Sequence, residues 1–186
     1  MPPLECVEVG APSTAVDWRA WLTPGTLLLV GLRASAEAGL DSWAAAYAGA
    51  LMMGGGGSGS RSSASLGVLP SPPPSSPRIV DLTIYDRTSA LALALPGMKS
   101  ALLRGAGAGA ARRRASIAGA HFGRAPEVRA SLRLANALAA HAVVVGREGG
   151  MAWLGSGLAR AGEGEVEEMV AVARAEMVGR CVSEEK

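Results

Sequence analysis

The sequence predicts a single α/β domain, on three observations. Its 186 residues are 49% hydrophobic and only 18% charged, a composition typical of one globular domain with a sizeable core. Short apolar runs alternate along the chain with amphipathic helical stretches, the pattern of a sheet covered by helices. The two cysteines, Cys6 and Cys181, lie at opposite ends, which excludes a disulfide scaffold or a cysteine-based metal cluster.

The first strand and helix are predicted near the start of the chain. The run TLLLVGL at 26–32 follows a Pro-Gly turn and is typical of a strand buried on both faces. Apolar side chains then recur at helical spacing, with acidic residues where the helix dipole favours them. We therefore expect a helix that ends at Gly54, with Leu40, Trp43, Tyr47 and Leu51 on one face and Glu37 and Asp41 near its start.

A low-complexity segment interrupts the domain at 54–77. It is Gly/Ser-rich and then Pro-rich, a composition that cannot bury a core and predicts a disordered surface insertion. Docking of its proline-rich end into an aromatic groove is the alternative. The predicted domain covers 26–178, after an N-terminal segment at 1–25 and before a tail at 179–186.

The second strand and helix follow the insertion. RIVDLTIY at 78–85 alternates apolar and polar residues and predicts a strand. A leucine-faced helix is expected from Thr88, kinked at Pro96. The Gly/Ala stretch at 105–111 is expected to interrupt this helix, and three consecutive arginines come next.

The last third of the sequence predicts a helix, a hairpin and a closing helix. The short helix begins at Pro126, with Val128, Leu132 and Ala135 on one stripe. The strands at 141–146 and 151–156 are separated by turn residues, so they should pair antiparallel. In the closing helix at 163–178, the apolar face is Val166, Met169, Val170, Ala173 and Met177, and the outward face carries Glu165, Glu167 and Glu168.

The resulting order, β-α-β-α-α-β-β-α, predicts a thioredoxin-like fold with a mixed four-stranded sheet flanked by helices. Thioredoxin-like enzymes place a thiolate in the loop that leaves the first strand, at a helix N-terminus. Here the loop at 33–37 reads RASAE and has no cysteine, and Ser35 is expected to cap the helix. We therefore predict a protein without catalytic, cofactor or metal residues, while redox chemistry through a remote cysteine is the alternative.

The net charge of +2 conceals an uneven distribution. Residues 1–53 carry −3, residues 54–147 carry +9, and residues 148–186 carry −4. Within the basic part, the candidate contact residues are Arg104, Arg112, Arg113 and Arg114. Such a segment favours a solvated face or contact with anionic lipid. With only 4% aromatic residues, nucleic acid is the least favoured partner.

Three stretches resemble the mitochondrial ATPase-complex assembly factors: TLLLVGLRASAEAGLDSW, RIVDLTIY with the leucines and arginines after it, and HFGRAPEVRASLRLANALAAHAVVVGREGGMAWLGSGLARAGEGEVEEMV. That family consists of thioredoxin-like chaperones for subunit a (subunit 6) of ATP synthase. The resemblance implies a non-enzymatic factor that binds newly made subunit a and helps it join the subunit c ring. It carries over the positions Arg33, Trp43, Trp153, Gly155, Ser156 and Gly157, although both tryptophans are also suited to core packing and the glycines to a turn.

The resemblance also implies a location on the matrix side of the mitochondrial inner membrane, as a peripheral protein. No apolar stretch reaches the roughly 20 residues that a membrane-spanning helix needs. The first residues, MPPLECVE, show neither a signal-peptide core nor an Arg-rich transit pattern. We therefore expect a longer native N-terminus, with a cytosolic protein as the alternative. A thioredoxin-like peroxidase or reductase is the second functional hypothesis.

Overall fold

The computed structural model describes residues 1–10, 15–32, 34–53, 78–85, 95, 97–134, 136, 138–159 and 164–183. This part of the chain is an α/β structure with seven strands in one sheet and four α-helices. The strands are β1 (Glu5–Glu8), β2 (Ala15–Asp17), β3 (Leu27–Gly31), β4 (Ile79–Tyr85), β5 (Ile117–Phe122), β6 (His141–Val145) and β7 (Met151–Ser156). The helices are α1 (Glu37–Met53), α2 (Met98–Arg112), α3 (Pro126–Ser131) and α4 (Glu165–Ser183).

The sheet is mixed, with the strand order β2-β1-β5-β4-β3-β6-β7. β3, β4 and β5 run parallel to one another, and the remaining neighbours pair antiparallel. The four predicted strands are β3, β4, β6 and β7, and the predicted antiparallel hairpin of β6 and β7 is confirmed. The sheet has seven strands, three more than the four that were predicted.

The central strand β3 divides the core into two layers. Successive side chains of a strand point to opposite faces of the sheet. Leu28 and Val30 therefore pack with the N-terminal segment and α3. Leu27 and Leu29 pack on the other face with α1 and α4. All five β3 residues are buried, as the continuous apolar run predicts.

The N-terminal segment belongs to the sheet, which the sequence did not predict. β1 pairs with both β2 and β5, and a 3-10 helix at Trp18–Trp21 places two tryptophans in the core. The indole of Trp18 donates a hydrogen bond to the Pro2 carbonyl at 3.0 Å. β1 and β2 are only four and three residues long, too short to show a periodic pattern.

The expected interruption at 105–111 was wrong, because α2 runs through it to Arg112. Glycine in a helix costs about 1 kcal/mol relative to alanine, so the sequence favoured a break. Small side chains here permit close packing instead: Ala106, Gly109 and Ala110 are buried. The predicted helix start at 88–94 and the kink at Pro96 lie outside the described residues, as does the insertion at 54–77.

The remaining helices follow their predicted apolar faces. In α1, Leu40, Trp43 and Tyr47 are buried, and in α4, Met169, Val170 and Ala173 are buried. Glu165, Glu167 and Glu168 are exposed, as expected. α4 continues to Ser183, so the predicted tail begins inside a helix. In α3, Val128 is buried and Leu132 is buried just after the helix ends, while Ala135 lies outside the described residues.

The contact between Trp21 and Gly119 of β5 makes the N-terminal segment testable as part of the fold. A Cβ atom at Gly119 would collide with the Trp21 ring, so Gly119→Ala should lower the free energy of unfolding by about 1–3 kcal/mol. Gly105→Ala is the matched control, because no atom lies within 4 Å of a Cβ there. That substitution should raise the stability by about 0.5–1 kcal/mol. Urea denaturation measures both, and equal stability of the two variants would show that the segment does not pack on β5.

Candidate binding surface and its buried charge cluster

The carboxyl ends of the parallel strands define one edge of the sheet. The strands β3, β4 and β5 end there at Gly31, Tyr85 and Phe122. β6 is antiparallel to β3 and therefore begins at this edge, while β7 ends there, with His141 opposite Ser156. The start of α1 follows the end of β3 closely, so it lies at the same edge.

Exposed apolar side chains collect along this edge. Among the described residues, five large apolar side chains are exposed: Leu95, Met98, Leu138, Leu158 and Val178. The first four belong to the start of α2, the loop before β6 and the loop after β7, all of which lie at the carboxyl edge. We call these four residues the apolar rim. Val178 lies on α4, away from it.

Aromatic packing positions the α2 part of the rim. Tyr85 and Phe122, the last residues of β4 and β5, stack with ring centroids 5.1 Å apart. The Tyr85 hydroxyl donates to the Leu102 carbonyl at 3.1 Å, and the Lys99 ammonium lies 5.5 Å from the Phe122 ring centre. These contacts place the second turn of α2 level with the strand ends. Met98 therefore projects beyond the sheet, where it is 39% exposed.

Hydrogen bonds hold the other part of the rim against the start of α1. Ser35, which was predicted to cap the helix, lies in a short 3-10 turn, and its hydroxyl donates to the Leu138 carbonyl at 3.3 Å. Gly157 N–H donates to the Ala140 carbonyl at 2.9 Å, which joins the loop before β6 to the end of β7. Because the backbone of Leu138 is fixed while its side chain is 55% exposed, this loop presents the leucine to solvent.

A buried charge cluster connects α1, α2 and β4 on the same face of the sheet. Arg113 follows the last residue of α2, and its side chain is only 1% exposed. Its Nε donates to Asp81 Oδ2 at 2.7 Å, and its Nη1 donates to Glu37 Oε2 at 2.9 Å and to Asp41 Oδ1 at 2.7 Å. One guanidinium thus joins the second core strand to the first two turns of α1.

The cluster holds three carboxylates and two guanidiniums, because Arg112 Nη2 also donates to Glu37 Oε2 at 2.7 Å. Burial raises the pKa of Asp81, and the charge of Arg113 opposes that shift. Burial lowers the pKa of Arg113, but Asp81, Glu37 and Asp41 together outweigh it, so the pKa is raised overall. The guanidinium is therefore permanently charged. Its buried partner is Asp81, and the partly exposed Glu37 and Asp41 add to its compensation.

The small residue Gly109 makes room for this guanidinium. A Cβ atom at Gly109 would lie 2.5 Å from Arg113 Nη2 and 3.2 Å from Glu37 Oε2. Arg113 can therefore fold back across the last turn of α2. Asp81 Oδ1 has no hydrogen-bond partner among the described residues, so the cluster is held by Oδ2 and by charge.

The structure separates the four predicted contact arginines. Arg104 and Arg114 are exposed, and Arg114 adopts a left-handed backbone with φ 53°. Arg112 is half-exposed but paired with Glu37. The prediction of Arg113 as a surface contact was wrong. Its guanidinium is enclosed by α1, α2 and β4, where it forms buried ion pairs. Arg33 lies outside the described residues.

The two predicted contact tryptophans lie in the core. Trp43 is fully buried and Trp153 is 9% exposed, and their rings meet edge to face with centroids 5.3 Å apart. Gly155 is required between them, because a Cβ there would collide with the Trp153 ring. Both residues thus match the core-packing alternative. Ser156, by contrast, is exposed at the end of β7.

The thiol of Cys6 is buried in β1. Burial, with a smaller contribution from the Asp17 carboxylate, raises the pKa of Cys6 to about 12. The group therefore stays protonated at neutral pH and is a poor nucleophile. Cys181 lies in the last turns of α4.

Two features of this region escaped sequence reasoning. Asp81 lies within an apolar strand, and a carboxylate in such a run is itself a signal for a buried ion pair. Leu138 and Leu158 had no comparable signal, since a leucine in a loop is buried or exposed according to tertiary packing. His121 lies in β5, and His141 begins β6, at the start of the predicted strand.

Comparisons with family models, with curated proteins and with solved structures found no match to this chain. Within the described residues, no helix combines the length and the apolar character needed to cross a bilayer. The same residues contain no group of three His, Cys, Asp or Glu side chains arranged to hold a metal ion.

The neighbouring arginines Arg113 and Arg114 provide a matched test of the charge cluster. Arg113→Met should lower the free energy of unfolding by about 3–5 kcal/mol, because it leaves Asp81 buried without its cation. Arg114→Met should change it by less than about 0.5 kcal/mol, since that side chain is exposed. Chemical denaturation followed by circular dichroism measures both. Similar effects of the two variants would contradict a structural role specific to Arg113.

Proposed function

We propose that this chain is a non-enzymatic assembly factor with thioredoxin-like architecture, which binds newly made subunit a of mitochondrial ATP synthase and promotes its assembly with the subunit c ring. The observation that supports it most is the apolar rim. Four large apolar side chains are exposed along one edge of the sheet, two beside β4 and β5 and two beside β6 and β7. Exposed apolar surface of this kind is typical of a protein-binding or membrane-binding site.

The strand arrangement supports the thioredoxin-like part of the proposal. β4 and β3 are parallel, β6 is antiparallel to β3, and β7 is antiparallel to β6. The four predicted elements therefore form the order β4-β3-β6-β7, which is the order of a thioredoxin-like core. β5, β1 and β2 extend this sheet on the β4 side. The Leu138 part of the apolar rim adjoins the start of the first helix, where enzymes with this core place their thiol.

The chemistry of the rim fits a membrane-embedded client. A newly made membrane subunit exposes long apolar helices, and leucine and methionine side chains can cover such surfaces. The exposed basic residues Lys99 and Arg124 adjoin the same edge. Basic residues near an anionic bilayer contribute about 1 kcal/mol each to membrane association. A peripheral location on the matrix side of the inner membrane follows as part of the proposal.

Photo-crosslinking tests this function directly. A photoreactive amino acid is placed at Met98, at Leu138 or at the matched control Val178 of the full chain. The protein is then mixed with subunit a synthesised in vitro into lipid nanodiscs. Because the first two positions belong to the rim, they should crosslink to subunit a several-fold more than Val178.

Three outcomes of this experiment would contradict the proposal. Crosslinking that is equal at Val178 would mean that binding is unspecific. If circular dichroism shows a folded protein but neither rim position forms crosslinks, subunit a does not bind at the rim. An unrelated membrane protein in the same nanodiscs is the client control, and equal capture of it would show a general apolar surface only.

A further inference from the structure

The side of β7 that faces away from β6 carries backbone N–H and C=O groups without a partner strand among the described residues, and the pairing with β6 shows which residues they belong to. Gly157 N–H donates to the Ala140 carbonyl, one position beyond the terminal pair of β6 and β7, in which His141 lies opposite Ser156. In an antiparallel pair, hydrogen-bonded positions alternate. Gly155 therefore faces β6, whereas the N–H and C=O groups of Leu154 and Ser156 point away from the sheet.

The two edges of the sheet differ in their protection. Edge strands are usually kept short or carry charges or proline, which discourages pairing with another chain. β2 is three residues long, contains Asp17 and is followed at once by a 3-10 helix. β7 is six residues long, MAWLGS, with neither a charge nor a proline, and its register shift lies near the turn, where Ala152 has no partner between Val144 and Val145. Among the described residues, the regular part of β7 at 153–156 is therefore the less protected edge of the sheet.

Acidic side chains flank this open edge. Trp153 of β7 donates its indole N–H to Glu168 Oε2 of α4 at 3.3 Å, which places the first turn of α4 over the strand. Glu165 and Glu167 in that turn are exposed. Glu148, also exposed, lies in the turn at the other end of β7, next to Arg147, whose charge is paired with Glu176. An incoming strand would thus meet negative charge at both ends.

We propose that the β7 edge binds, by strand addition, an extended peptide segment whose ends carry lysine or arginine. The outward backbone groups of Leu154 and Ser156 supply hydrogen bonds, and the side chains of the same two residues, half-buried and exposed, contact the side chains of the added strand. Glu148, Glu165 and Glu167 attract its basic ends. A second copy of this chain is a poorer occupant, because two-fold pairing about Gly155 brings the acidic first turns of both α4 helices together. This surface adjoins the Leu158 part of the apolar rim, but it uses the backbone groups of β7, which the client contact proposed above does not use.

The probe is a fluorescent synthetic decapeptide of alternating valine and threonine with two lysines at each end. Binding to the full chain is measured by fluorescence anisotropy against a peptide in which glutamates replace the lysines. We expect the lysine peptide to bind roughly tenfold more tightly at low salt, with a difference that shrinks as salt is added. Equal binding of both peptides, or binding of neither, would overturn the proposal.

Variants of the edge test the mode of binding. Ser156→Pro removes an outward N–H without breaking the ladder to β6, so it should abolish binding, while Ser156→Thr should preserve it. Where Ser156→Pro perturbs folding, Glu165→Lys with Glu167→Lys should weaken binding several-fold, and Glu127→Lys on α3 should not. Unchanged affinity in both edge variants would refute strand addition. If analytical ultracentrifugation shows a dimer that Ser156→Pro converts to a monomer, the β7 edge binds a second copy of this chain and the proposal is wrong.

Discussion

The ion pair between Arg113 and Asp81 is the interaction on which the rest of the structure depends. It joins the end of α2 to the centre of β4, and the same guanidinium holds Glu37 and Asp41 in the first two turns of α1. Removing one partner of a buried ion pair leaves an uncompensated charge, which is far more costly than losing a surface contact. The positions of α1 and α2 relative to the sheet are therefore set by charge as well as by apolar packing.

This constraint also explains how apolar side chains come to be exposed at the carboxyl edge. The charge cluster anchors the end of α2, and the Tyr85 and Phe122 stack supports its second turn, so the first turn extends beyond the sheet. Beside β6, the Ser35 hydroxyl and the hydrogen bond to the Ala140 carbonyl fix the backbone of the loop that carries Leu138. The backbone that carries the rim is thus held in place before binding. Because little conformational entropy is then lost on association, such a surface binds a partner more favourably than one that must first become ordered.

Local patterns in the sequence predicted the elements with strong periodicity. β3, β4, β6, β7, α1 and α4 each combine a clear apolar repeat with turn residues at their ends, and each is present. β1 and β2 are too short for a pattern, and the small residues of β5 and α2 resemble a loop. The role of Arg113 was also missed, because a run of three arginines is typical of a surface and its acidic partners are 32 or more residues away. Exposure of Leu138 depends on tertiary packing alone and has no signature in the sequence.

Hydrogen exchange of the full chain, with and without subunit a in lipid nanodiscs, is the most direct measurement of whether the rim is the client surface. Binding at the rim predicts slower exchange in residues 97–103, 138–140 and 157–159, because those segments carry or support the rim. Exchange in residues 172–178 of α4 should be unchanged. Protection confined to α4, or the same exchange with and without subunit a, would contradict the account.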